Sequence, residues 1–166
     1  MAPLQRISPC LWFDSQAEEA ARAYTAIFPR SRITTVTRYG EAGQEIHGRA
    51  PGSVMVVAFE LDGQAFTALN GGPLFIFSEA ISLQVHCDTQ AEIDHYWAQL
   101  GAGGDPRAQQ CGWLKDRFGL SWQIVPRQIE AWLSDPDSRR ADRVMAAVLQ
   151  MKKLDLAAIE HAFSGA

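Results

Sequence analysis

One segment of this chain is written twice. Residues 7–18 read ISPCLWFDSQAE and residues 81–92 read ISLQVHCDTQAE. At a fixed offset of 74 positions (81 − 7), Ile7, Ser8, Asp14, Gln16, Ala17 and Glu18 recur as Ile81, Ser82, Asp88, Gln90, Ala91 and Glu92. Ser15 is replaced conservatively by Thr89. So many identities in one register indicate two copies of one supersecondary unit. What the first copy builds, the second is expected to build again.

Each copy starts as a strand and enters a helix. Alternation puts Ile7, Pro9, Leu11 and Phe13 on one face of the first strand and Ser8, Cys10 and Trp12 on the other. In the second, Ile81, Leu83, Val85 and Cys87 oppose Ser82, Gln84 and His86. The uniformly apolar face is expected against helices and the mixed face toward a cavity. Ser15-Gln-Ala-Glu18 and Thr89-Gln-Ala-Glu92 both fit a capping box. Ala17, Ala20, Ala21, Tyr24 and Ile27 then recur at helical spacing, as do Ile93, Trp97 and Leu100. Pro29 ends the first helix and Gly101 the second.

Further strands are expected at Arg32–Tyr39, then at Val54–Leu61 and Gln64–Asn70 around the hairpin signal Asp62-Gly63. The second half offers a weak strand near Arg107–Gln110. Gly112–Lys115 and Leu120–Val125 follow, flanking the turn Asp116–Gly119. Each half therefore reads β-α-β-β-β. Gly40–Ser53 reads as a mobile loop, and residues 71–80 join the halves. A short helix is expected at Gln128–Leu133. Asp137 or Ser138 opens another carrying Val144, Met145, Val148 and Met151, and Asp155 caps a last one with Leu156, Ile159 and Phe163. Their apolar stripes must cover this sheet or a partner's.

With 166 residues, the chain is expected to form a single α+β domain: a first module at 4–70, a second at 81–126 and a C-terminal helical extension at 127–166. The net charge is −4 with both signs scattered, so no basic stripe marks a nucleic-acid partner. No run is long enough to span a membrane, and MAPLQRISP lacks the regions of a signal peptide. Cys10, Cys87 and Cys111 are odd in number and lack metal-type spacing. They read as reduced thiols of a cytoplasmic protein.

The stretches LWFDSQAEEAARAYTAIFP, FTALNGGPLF, SLQVHCDTQAEIDHYWAQL, CGWLKDRFGLSWQIVP and LQMKKLD together resemble the vicinal-oxygen-chelate superfamily, the glyoxalase and bleomycin-resistance fold. They are closest in wording to its PhnB-like branch, whose members are often labelled demethylubiquinone methyltransferases. The resemblance implies paired βαβββ modules whose curved mixed sheet encloses a concave cavity. It also implies a small-molecule ligand, often held through vicinal oxygens, and a homodimer. Metal-dependent members place His, Glu or occasionally Gln on four inner strands, two from each module. The positions here would be Ser8 or Cys10, one near Asn70, Ser82 or Gln84, and Gln123. These lack carboxylates, and His86 adds one imidazole, so no metal site is expected.

Parity puts Ser121 and Gln123 on the cavity side, with Trp122 packed behind. The expected ligand pocket is Cys10, Trp12, Asn70, Gln84, His86, Trp113 and Gln123. His86 is the candidate catalytic residue, read either as a general base or as a neutral histidine bonded in the wall. Cys10 or Cys111 could pair with it as a nucleophile. Trp12 and Trp113 read equally as stacking platforms or sheet packing, and Asn70 as a ligand contact or a turn residue. Lys115–Asp116 reads as a turn ion pair or, functionally, as a lip of the pocket. Gly101-Ala-Gly-Gly104 follows a helix, whereas the dinucleotide fingerprint lies between a strand and a helix. No sequence feature supports S-adenosylmethionine binding. Three functions compete: binding of a small, partly aromatic molecule without chemistry; a metal-dependent or His86-assisted enzyme on a small oxygenated metabolite; and the methyltransferase of the family label.

Overall fold

The computed structural model describes residues 5–165. They fall into two compact units, with the boundary between Phe77 and Ser78.

The first unit holds β1 (Cys10–Phe13), α1 (Ala17–Ile27), β2 (Arg32–Arg38), α2 (Gln44–His47), β3 (Val54–Leu61) and β4 (Gln64–Asn70). Its sheet runs β1-β4-β3-β2, with β1 parallel to β4 and the other pairs antiparallel. Asp62 and Gly63 both take positive φ, as a two-residue hairpin requires. The alanines of α1 and Tyr24 are buried, as are Leu11, Phe13, Val57, Phe59, Phe66 and Ala68 of the sheet. Small residues on the helix let it lie close to this apolar face.

The start of α1 departs from the repeat. Gln16 occupies its N-cap and makes no side-chain cap bond. Instead Asn70, at the end of β4, accepts from the Ala17 N–H through Oδ1 at 2.8 Å. The expected Ser15–Glu18 capping box is thus replaced by a tertiary cap, and Glu18 pairs with Arg22 one turn on. The segment expected to be a mobile loop, 40–53, contains α2 and is tied down. Arg49 donates to the Asp14 carbonyl at 2.8 Å, and Tyr39 Oη donates to the Asn70 carbonyl at 2.7 Å.

The second unit holds β5 (Leu83–Cys87), α3 (Gln90–Gly101), β6 (Trp113–Lys115), β7 (Ser121–Pro126), α4 (Ile129–Leu133), α5 (Ser138–Leu149) and α6 (Leu156–Ser164). The sheet runs β5-β7-β6, with β5 parallel and β6 antiparallel to β7. Here the capping box forms: Glu92 N–H donates to Thr89 Oγ1 and the Glu92 carboxylate accepts from the Thr89 N–H.

The strand expected near Arg107–Gln110 is absent. Pro106 lacks an N–H for a ladder, and Asp105 Oδ1 accepts from the Arg107 N–H at 2.9 Å, so Pro106–Ala108 closes as a 3-10 turn. Gln110 still meets Trp113 in one bridge, across Cys111 and Gly112, both at positive φ. A Cβ at Gly112 would stand 2.9 Å from the Ile124 carbonyl, so this turn needs its glycine.

The C-terminal helices cover their own unit. Val125 and Ile129 pack with Val144, Val148, Leu154 and Ile159, flanked by Cys111, Trp132, Met151 and Phe163. Asp137 and Asp155 cap α5 and α6, bonding Arg139 N and Ala158 N. The Met151 and Lys152 carbonyls accept from the N–H groups of Cys111 and Gly112, fastening the extension to the β6 turn. The chain is an α+β protein with mixed sheets, a repeated β-α-β unit and C-terminal helices.

Candidate functional site

Strand register assembles one polar face in the second unit. Gln84, Gln123 and Trp113 stand opposite one another across β5, β7 and β6. One step along, His86 faces Val125; on the other side, Lys115 faces Ser121. Residues paired in register point to the same face, so Gln84, His86, Trp113, Lys115, Ser121 and Gln123 share one side. On the other side Val85, Cys87, Leu114, Trp122 and Ile124 are buried, as are Ile93 and Leu100 of α3. Gln123 therefore lies on the side away from α3, with Trp122 behind it. The C-terminal helices close the face at Val125, while Gln84 and His86 are exposed.

The Gln123 amide Nε2 donates to Ser82 Oγ at 2.8 Å, placing Ser82 at the rim. Ser121 Oγ is buried and has no partner among the described residues. Lys115 forms an ion pair with Glu79, and that hydrogen bond holds the Glu79 carboxyl below the ordinary carboxylate range. The expected Lys115–Asp116 turn pair is therefore not formed. Asp116 is buried; its Oδ2 accepts from Trp122 Nε1 at 2.8 Å, and its Oδ1 from the N–H groups of Phe118 and Leu120. A carboxylate with three N–H donors in reach turns inward and leaves the lysine to another partner.

In the first unit, Cys10 and Trp12 share a face with Thr67 and Leu69. The Trp12 ring lies flat on the chain at Gly71, where a Cβ would come within 2.2 Å of it. Its Nε1 donates to the Gly72 carbonyl at 2.9 Å, and Phe75 meets the ring edge-on at 4.9 Å. Asn70 lies on the opposite, helix-facing side with Phe66 and Ala68, its Nδ2 donating to the Val54 carbonyl at 3.1 Å. Of the expected pocket residues, the structure thus gathers Gln84, His86, Trp113 and Gln123 on one sheet face, and Cys10 with Trp12 on another. It places Asn70 among backbone partners. Lys115 was expected at most at the lip of the pocket, paired with Asp116; Glu79 was not expected there, and no sequence signal marks it.

The thiols differ in environment. Burial pushes Cys87 up to about 12, helped by the negative charges of Glu92 and Asp88. Cys111 packs beside the C-terminal core. As for metals, the polar face offers amides, hydroxyls, an indole and one imidazole, a donor set unsuited to a hard or borderline divalent ion. Among the described residues no group of three His, Cys, Asp or Glu side chains is arranged to hold one. The set does not fit the superfamily's metal. The glycine cluster at 101–104 follows α3 and leads into the 3-10 turn, so it is no phosphate cradle.

Residues 5–125 match the profile of a family described as 3-demethylubiquinone-9 3-methyltransferase. A solved structure from Bacillus cereus, titled as a PhnB protein of that description, is 35% identical, with 74% of this chain and 99% of that one covered and a TM-score of 0.62. A Pseudomonas aeruginosa protein is 21% identical over 75% of this chain and 98% of its own, with a TM-score of 0.57, which shows the shared fold. No curated protein matches.

Proposed function

We propose a function on one premise: this chain belongs to the 3-demethylubiquinone-9 3-methyltransferase family, the PhnB-like branch of the vicinal-oxygen-chelate superfamily. The reading is a metal-independent binding protein whose ligand is a small, partly aromatic molecule. The ligand lies against the polar face of the second unit, which forms the wall of the concave cavity expected of the fold. The carrying observation is the registered row Gln84, Gln123 and Trp113. It presents two amides and an indole edge to edge, and the indole N–H has no partner among the described residues. Neutral amides and a flat ring recognise a flat oxygenated molecule by hydrogen bonding and stacking. Trp113 is the better platform, because Trp12 already spends its N–H on Gly72. The chain pairs with a second copy, a proposal favoured by the exposed Leu74, Phe75 and Ile76.

One observation favours an enzyme. His86 is an exposed imidazole beside this row, able to act as acid or base on a bound oxygenated metabolite. Nothing comparable supports the methyltransferase named by the family: no strand, glycine-rich turn and helix form a site for S-adenosylmethionine among the described residues.

The test is a calorimetric screen of small aromatic oxygenates against the wild type and Gln123→Ala. Binding lost in the variant with the fold intact is expected. Equal binding by both places the ligand elsewhere. Metal content after exposure to Mn, Fe, Co, Ni and Zn tests the metal-dependent form of the second reading. Stoichiometric retention lost in a Gln123→Ala, His86→Ala double variant would place a metal site on this face and favour the enzyme.

A further inference from the structure

We infer that Lys115 and Ser121 form an anion subsite at one end of this face, masked in the free protein by Glu79. The inference rests on the reading of the face as a ligand wall, and it specifies the ligand class as a small aromatic carboxylate.

Lys115 and Ser121 are register partners on β6 and β7, so their side chains rise from the same side of the sheet as neighbours. Ser121 is 1% exposed, and its hydroxyl has no partner among the described residues. Native proteins rarely leave a buried hydroxyl unbonded, because its lost hydration goes uncompensated. A ligand oxygen held by Lys115 gives that hydroxyl an acceptor.

The masking contact is built to be replaced. Lys115 belongs to a strand and its side chain is 25% exposed; Glu79 lies outside any strand or helix and is 61% exposed. An ion pair with one partner this exposed contributes little to stability, so a ligand carboxylate displaces Glu79 at small cost. The other nearby carboxylates are committed. Asp105 is bound by the Arg107 guanidinium at 2.9 Å, and Asp116 by the Trp122 indole on the far side of the sheet.

Spacing supplies the rest of the ligand. Trp113 and Lys115 are two residues apart on one strand, about 7 Å along it. A ring stacked on Trp113 thus carries its carboxylate on a one-carbon arm to reach Lys115, as an arylacetate does. Gln123, paired with Trp113, supplies a neutral contact between them.

The experiment titrates 1-naphthylacetate and its neutral amide, 1-naphthylacetamide, against the wild type and four variants, with melting temperatures recorded. The wild type is expected to prefer the acid. Glu79→Gln removes the competing carboxylate and should tighten acid binding roughly two- to fivefold. Lys115→Gln should weaken it about tenfold or more. Ser121→Ala should weaken acid binding while the melting temperature holds or rises, since no hydrogen bond is lost on folding. Amide binding should be unchanged in all three and lost in Gln123→Ala. Acid affinity unchanged or weaker in Glu79→Gln overturns the subsite, as does an equal loss of both probes in Lys115→Gln. The face reading survives either result if the amide still depends on Gln123. Failure of both probes on the wild type and on Glu79→Gln overturns both.

Discussion

Asn70 joins three parts of the first unit. Its Oδ1 caps α1 at Ala17, its Nδ2 holds the Val54 carbonyl, and its own carbonyl accepts from Tyr39. Replacing it with alanine removes the buried Ala17 N–H acceptor and the partly buried donor to Val54, a loss of roughly 1–3 kcal/mol. Asn70→Asp keeps the cap acceptor and adds a charge favourable at a helix N-terminus, so it loses less. Thermal melts should rank wild type, Asn70→Asp, Asn70→Ala. If Asn70→Ala melts with the wild type, the cap has no energetic role. Cys87 gives a pH-dependent prediction. Its thiol titrates at 9.0 when unburied and at about 12 when folded, chiefly through burial. A raised folded value favours the protonated, folded form, so this contribution is whole below pH 9.0 and is lost as pH climbs toward about 12. Denaturant melts between about pH 9 and pH 10.5 should therefore show the wild type losing stability more steeply than Cys87→Ala. Parallel slopes would mean that the thiolate is tolerated in the core.

At the scale of elements, the duplicated strand-to-helix unit is closed in two ways. In α3 the Thr89–Glu92 box satisfies the first turn locally; in α1 the matching Ser15 and Glu18 do not cap, Glu18 pairing with Arg22, and Asn70 does so from β4. Thr89→Ala should cost about 1 kcal/mol and Ser15→Ala only a few tenths. Equal costs would show that Ser15 caps α1 in solution. The repeat was legible because its residues recur in register, and so was strand parity, because alternation is intrinsic to a strand. Pro106 explains the missing fourth strand of the second unit, but only with the Asp105 side chain in place to close the 3-10 turn. The helices at 129–164 were legible from their caps and stripes. Their cover was not, since an apolar stripe does not name its partner; the structure supplies Val125 of β7.

At the scale of the whole molecule, light scattering should give the mass of two chains, and the mass of one would remove the proposed dimer. Its apolar residues, Leu74, Phe75 and Ile76, lie in the segment GGPLFIF, whose last residue Phe77 reaches back to the ring of Phe13 at 5.2 Å. Changing Phe75 and Ile76 together to serine should lower the mass to that of one chain while both sheets persist by circular dichroism. A dimer that survives uses another surface.

The sequence by itself determined most of the elements, though not α2 or the 3-10 turn at Pro106–Ala108, and the sides to which the residues of β1, β5 and β7 point. Helical periodicity, strand alternation, turn glycines and caps are local, and each acts within a few residues. It also determined that Gln84, His86 and Gln123 rise from one side of their strands. Only the tertiary structure decided which of these polar groups are engaged. Asn70 became a cap, Trp12 an anchor for Gly72, Asp116 a buried acceptor for Trp122, and Lys115 the partner of Glu79. The reason is that a side-chain hydrogen bond depends on which backbone groups the fold brings within about 3 Å. Those neighbours lie tens of residues away in sequence, where local pattern carries no information about them.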